Sequence, residues 1–146
     1  MIEFAYHKMN SDGNLTRCYR TIYSMIGPTI IHLIDCKSVL RKKHLHSSNG
    51  QHQIIEYGNI EEFLFKNEGK DHIIIEVNGK RDLSHLKLYD DFIDGKTIFH
   101  IGGENEHLPV QKSPWKYWPR YKVSMVNKLP LINDVITGMV CYEITR

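Results

Sequence analysis

The chain has 146 residues, 41% of them hydrophobic and 25% charged, with a formal net charge of +2. That length suits one domain able to hide roughly 68 to 70% of the surface its unfolded chain would expose, and the composition excludes a disordered or fibrous class. The small net charge names no partner, although it would not repel a polyanion, and no run approaches the roughly 18 apolar residues of a membrane span.

Apolar runs of strand type alternate with stretches of helical type, an α/β rhythm. IEFAYH, residues 2–7, is the first predicted strand. SDGNLTRCYRTIYSMIG, residues 11–27, opens on capping residues and places Leu15, Cys18, Tyr19, Ile22 and Ile26 at helical spacing, with Gly27 and Pro28 as a stop. TIIHLID (29–35) is the second strand. CKSVLRKKHLHSSNGQHQ (36–53) leaves room for a helical turn before a basic, Ser/Asn/Gly-rich loop. IIEY (54–57) is followed by NIEEFLFKNEG (59–69), whose Asn start, early acids and Gly end predict a short helix. HIIIEV (72–77), TIFHI (97–101) and YKVSMV (121–126) complete the predicted strands, and such near-continuous apolar runs suit a mostly parallel sheet with helices on both faces. The closing INDVITGMVCYEITR is apolar nearly all round, so its predicted helix wants burial on two sides and points to a partner subunit.

The cysteines Cys18, Cys36 and Cys141 are odd in number, widely spaced and without a CxxC pair, which predicts reduced thiols rather than a disulfide framework or zinc site. With no signal-peptide pattern in MIEFAYHKMN, the expected location is cytoplasmic. No metal is expected either, because His44 and His46 offer two ligands with no nearby acid. No GxGxxG follows the first strand, so a Rossmann-type dinucleotide site has no support.

Three stretches carry a pattern as a set. NLTRCYRT places Asn14 and Arg20 six residues apart on the first helix; IGGENEHLP ends a strand in Gly102, Gly103 and Glu104; VSMVNKLPLINDV places Met125 and Asn133 eight apart. In this order and spacing, over nearly the whole chain, the sequence resembles the SpoU (TrmH-like) branch of the SPOUT methyltransferases. It departs from that pattern at Leu131, where the family has Ser, at His107, where it usually has Gly, and at Ser124, where it has Pro. The helix from Arg20 to Gly27 is also one residue longer than usual.

The resemblance implies an α/β fold whose C-terminal part is threaded through a loop as a deep trefoil knot, a rare exception to unthreaded topology. It implies a homodimer that binds S-adenosylmethionine in the knot and releases S-adenosylhomocysteine, with no metal. On the family's pattern the catalytic residues are Asn14, Arg20, Glu104 and Asn133. The cofactor would lie against Ile101, Gly102, Gly103, Glu104, Val123, Met125, Leu131 and Ile132, where glycines let main chain come close. Arg20, always protonated, suits a clamp on phosphate or a ribose oxyanion and faces the cofactor of the other subunit in the family. His107 adds a candidate proton acceptor near neutral pH. Taken singly, each residue has a plainer use: Asn14 as cap of the first helix, Arg20 as a solvated charge, the glycines as a turn, Glu104 as cap of the following segment and Asn133 as cap of the last helix.

KSPWKYWPRYK, residues 112–122, interleaves cations with flat rings, which RNA loops require. The RNA-binding residues are therefore expected to be Arg17, Arg20, Lys112, Trp115, Lys116 and Arg120, although Trp115 and Trp118 would equally suit a dimer seam. RKKHLH at 41–46 is a second basic cluster that could flank RNA or be a solvated loop. The expected function is an S-adenosylmethionine-dependent ribose 2'-O-methyltransferase acting on tRNA or another structured RNA. The alternative is a relative that holds RNA or cofactor without turnover, because losing the hydroxyl at 131 costs about 1 to 3 kcal/mol, or roughly tenfold to two-hundredfold in rate.

Overall fold

The structure is a computed structural model, and it describes residues 2–36, 51–89, 91–102, 108, 110, 112–123 and 133–146. Seven strands form one parallel sheet: β1 (Glu3–His7), β2 (Ile30–Ile34), β3 (Gln53–Tyr57), β4 (Asp71–Ile75), β5 (Arg81–Asp82), β6 (Thr97–Ile101) and β7 (Arg120–Lys122), in the spatial order β3-β2-β1-β6-β4-β7-β5. The six predicted strands are all present, and the last is observed over Arg120–Lys122. The two-residue β5 was not predicted, since so short a strand leaves no periodic signal.

Alternation along the strands divides the core. Phe4, Tyr6, Ile31, Leu33, Ile73, Ile75, Phe99 and Ile101 face one side, beneath helix α1 (Asp12–Ile26), helix α3 (Asn133–Thr145) and a 3-10 helix at Leu83–Leu88. Ala5, Ile34, Ile98 and Ile74 face the other, beneath helix α2 (Ile60–Lys66), Leu108 and a 3-10 turn at Trp115–Tyr117. Both faces are covered, as the apolar runs required.

Helix α1 begins where Ser11 accepts the Asn14 amide at 3.1 Å and Asp12 favours the positive end of the helix dipole. It ends at Gly27, whose φ of 90° lets its amide turn back to the carbonyls of Ile22 and Tyr23. Helix α2 has the predicted Asn59 cap, which accepts the Glu62 amide at 2.9 Å. Helices α1 and α3 run side by side in the same direction, with Arg17 paired to Asp134 at 3.2 Å and Thr21 lying beside Gly138. Helix α3 buries Thr137, Val140 and Cys141, while Val135 (42% exposed) and Tyr142 (56% exposed) point away from the chain's own core. Among the described residues no helix is long and apolar enough to cross a membrane.

Candidate functional site

The sheet order fixes where a ligand crevice can open. β1 and β6 are adjacent, and the chain leaves them on opposite faces: after β1 it enters α1, and after β6 it returns as Leu108 and the Trp115 turn on the other side. In open parallel sheets such a switch point, at the carboxyl ends of the strands, is where ligands bind. Gly102 stands there, one residue past the end of β6.

Three segments distant in sequence meet at that point. The Asn133 side chain donates from Nδ2 to the Gly102 carbonyl at 2.7 Å, and its Oδ1 accepts from Nδ2 of Asn14 at 3.0 Å. Both asparagines are buried. Capping accounts for neither side chain, because Ser11 caps α1 and the Asn133 amide group reaches outward to Asn14 and Gly102. Below them, Tyr6 Oη and Thr137 Oγ1 lie 2.6 Å apart, tying β1 to α3. The result is an amide chain across the mouth of the switch point, holding the end of β6 against the starts of α1 and α3.

Of the remaining predicted site residues, Ile101 is buried at the end of β6, Val123 is half-buried against the core, and Arg20 is exposed on α1. Arg17 is also exposed and engages Asp134. Gly103, Glu104, His107, Met125, Leu131 and Ile132, and the basic cluster at 41–46, lie outside the described residues. The expected C-terminal knot concerns a part of the chain in which 103–107 and 124–132 lie outside them as well.

The 112–122 segment divides its expected roles. Lys112 and Lys116 are exposed, and Arg120 is partly buried with its guanidinium 3.4 Å from Glu76. Trp115 is only 3% exposed, with its ring against His7 and His100 at centroid distances of 5.1 and 5.3 Å. The exposed ring of this turn is Tyr117.

Under Trp115 and Trp118 lies a feature that strand patterning alone did not reveal. His7, His100 and His72 form a buried row, His7 Nε2 being 2.9 Å from His100 Nδ1 and His100 Nε2 being 2.8 Å from His72 Nδ1. Burial, reinforced by Lys8, pushes His7 down to about 3; burial takes His72 to about 4, and burial with the neighbouring histidines takes His100 well below the ordinary value. Neutral imidazoles bring one N–H and one bare nitrogen each, so the row is satisfied without charge. Beside it, Glu3 accepts from His32 and Lys70, both at 2.7 Å; burial raises its pKa, but these partners outweigh burial and hold it below the usual value. The available signal was a histidine inside each of four apolar strand runs, at 7, 32, 72 and 100.

A cleft of about 290 Å³ lined by Lys70, Asp71, His72, Asp91, Trp118 and Pro119 opens beside the starts of β4 and β7. That is the end of the sheet opposite Gly102, so it is separate from the residues the motifs name. Among the described residues, no three His, Cys, Asp or Glu side chains are grouped to hold a metal ion.

No family model matches the sequence, and no curated protein does. Solved structures match nearly all of it. One, concerning the 2-OH methylation of C/U34 on tRNA, superposes with a TM-score of 0.75 at 19% identity over 98% of this chain and 88% of that one. The SpoU methyltransferase AviRb from Streptomyces viridochromogenes gives 0.74 at 16% identity, covering 98% of this chain and 58% of its own. An AdoMet-bound rRNA methyltransferase from Sinorhizobium meliloti gives 0.72 at 19% identity, over 97% and 54%. With its parallel sheet, its switch point between β1 and β6 and its asparagine pair at that point, the chain has the fold of the SpoU (TrmH-like) RNA methyltransferases.

Proposed function

We propose that this protein is an S-adenosylmethionine-dependent RNA methyltransferase that modifies a ribose 2'-oxygen, with tRNA as the RNA, and that it works as a cytoplasmic homodimer. The observation that carries the reading is the Asn14–Asn133–Gly102 connection: the two asparagines picked out by family spacing are hydrogen-bonded to each other, and Asn133 also bonds the glycine of the second motif. The fold similarity supports the same chemistry.

The described part of the cradle fits the cofactor. Gly102 offers main chain at the end of a buried strand, and Asn133 fixes the direction of its carbonyl. Bound there, S-adenosylmethionine supplies a methyl group on a sulfonium, which transfers by in-line displacement. The protein's task is then to orient the ribose oxygen and stabilise its growing negative charge. Ile101, Gly102, Gly103 and Val123, with Met125, Leu131 and Ile132 from the knot, would enclose the cofactor. Glu104 would hold the loop. Asn14 and Asn133 would keep that wall fixed, and Arg20 would meet the substrate oxygen or its phosphate across the dimer. The exposed Val135 and Tyr142 on α3 supply an apolar face for the second subunit. Arg17, Lys112, Lys116 and Arg120 would serve the RNA backbone.

A second reading is favoured by Leu131, which removes a hydroxyl that the family keeps: the protein holds RNA or cofactor without turnover. Methyl incorporation into bulk RNA from labelled cofactor separates the two. Incorporation by the wild type that drops at least a hundredfold in Arg20→Ala is expected, whereas no incorporation under any condition leaves only the second reading. S-adenosylhomocysteine should raise the melting temperature of the enzyme and of a cofactor-holding relative, since it binds the folded state alone; no shift at millimolar ligand would sink both of these cofactor-using versions and leave only RNA binding.

A further inference from the structure

The turn over the histidine row has an inner and an outer face. In a 3-10 turn positions i and i+3 eclipse, so Trp115 and Trp118 fall on the same side, their rings 4.7 Å apart and packed on His100 and His72. Lys116 and Tyr117 are left facing out. Tyr117 is 73% exposed, the Lys116 ammonium sits 4.9 Å from its ring, and Lys112 is exposed one turn earlier. The backbone beneath is pinned by three hydrogen bonds: the Lys116 amide to the Lys112 carbonyl (3.0 Å), Tyr117 to Pro114 (3.0 Å) and Trp118 to Trp115 (3.1 Å).

Charge identifies the occupant. Residues 107–133 contain the five cations Lys112, Lys116, Arg120, Lys122 and Lys128 and no acid, so this stretch carries +5 in a chain whose total is +2. An exposed flat ring flanked by cations on a rigid pedestal, within a segment free of acids, is the arrangement that stacks a base while neutralising its phosphates. We propose that Tyr117, with Lys112 and Lys116, is a stacking platform for an unpaired RNA base, so that the RNA bound by this protein is single-stranded where it crosses the turn. This rests on the RNA reading above. It adds that a loop, rather than a helical stem, is what is held. A base paired inside a duplex presents no face to the ring, and duplex RNA meets proteins mainly through phosphates and 2'-hydroxyls.

Fluorescence anisotropy without cofactor tests this directly, using an unstructured oligouridylate and an RNA duplex of equal phosphate number. Tyr117→Ala should weaken the single strand by about 5- to 100-fold and leave the duplex unchanged, while Tyr117→Trp keeps the single-strand affinity. Lys112→Ala with Lys116→Ala should weaken both RNAs and flatten the salt dependence. The platform is overturned if Tyr117→Ala binds the oligouridylate like the wild type, if it weakens both RNAs equally, or if an acidic peptide competes better than RNA. The methyltransferase reading stands or falls separately, on the S-adenosylhomocysteine shift and the Arg20→Ala comparison. Tyr117 is exposed, and an unchanged melting temperature confirms that the variant folds.

Discussion

Two buried amides, one from α1 and one from α3, meet where β6 stops. Removing the Asn133 side chain takes one hydrogen-bond partner from the part-buried Gly102 carbonyl and one from the buried Asn14 amide. Asn133→Ala should therefore lower unfolding stability by about 1 to 3 kcal/mol, read by urea denaturation, and should erase the melting shift with S-adenosylhomocysteine. A variant that keeps a wild-type shift would remove Asn133 from the cofactor wall. The motif spacing marked both asparagines, yet nothing local to either one shows that they touch, because their bond spans 119 positions. Trp115 and Tyr117 give the complementary lesson. Alternating cations and rings are visible in the sequence, but which ring faces out depends on a three-residue period set by a turn that no apolar pattern announces.

Among the elements, the strands were readable because burial on both faces leaves almost every residue apolar, and the helices because their caps obey simple chemistry. The turns and the short β5 were not, since they are decided by what they lie against. Trp115→Ala should cost about 3 to 5 kcal/mol through the cavity left over His7 and His100. Single-strand RNA binding should fall with it, because Tyr117 would lose its pedestal; urea midpoints and the anisotropy assay report the two effects. Gly79 governs the other edge of the sheet. A Cβ there would sit 2.4 Å from the Tyr121 backbone carbon, and a main-chain neighbour in β7 cannot swing aside. Gly79→Ala should thus destabilise the chain by about 1 to 3 kcal/mol, and hydrogen exchange should show the loss concentrated in β5 and β7.

At the scale of the molecule, the histidine row sets a response to acid. The folded pKa values of His7, His72 and His100 are depressed by burial, so between about 6.5 and 4 the unfolded chain binds more protons than the folded one, and stability falls as pH falls. Each histidine should remove about 1 to 2 kcal/mol between pH 7 and pH 5. Glu3, held low by His32 and Lys70, adds a loss of the same sign once pH drops through the carboxylate range. Urea unfolding at the two pH values measures the sum, and equal midpoints would show that the row is not buried and neutral. The proposed association is tested at the same scale: Tyr142→Glu is expected to leave a monomer in light scattering where the wild type is a dimer, with loss of the activity that Arg20 would serve across the proposed interface.

The bonds that build the crevice join residues 93, 119 and 131 positions apart, from His7–His100, Asn14–Asn133 and Tyr6–Thr137. Such distant partners close late and slowly during folding. A ribosome must therefore release the chain as far as Thr137 before these contacts can all exist, so any ligand of the crevice would lock the finished fold but could not template its early assembly.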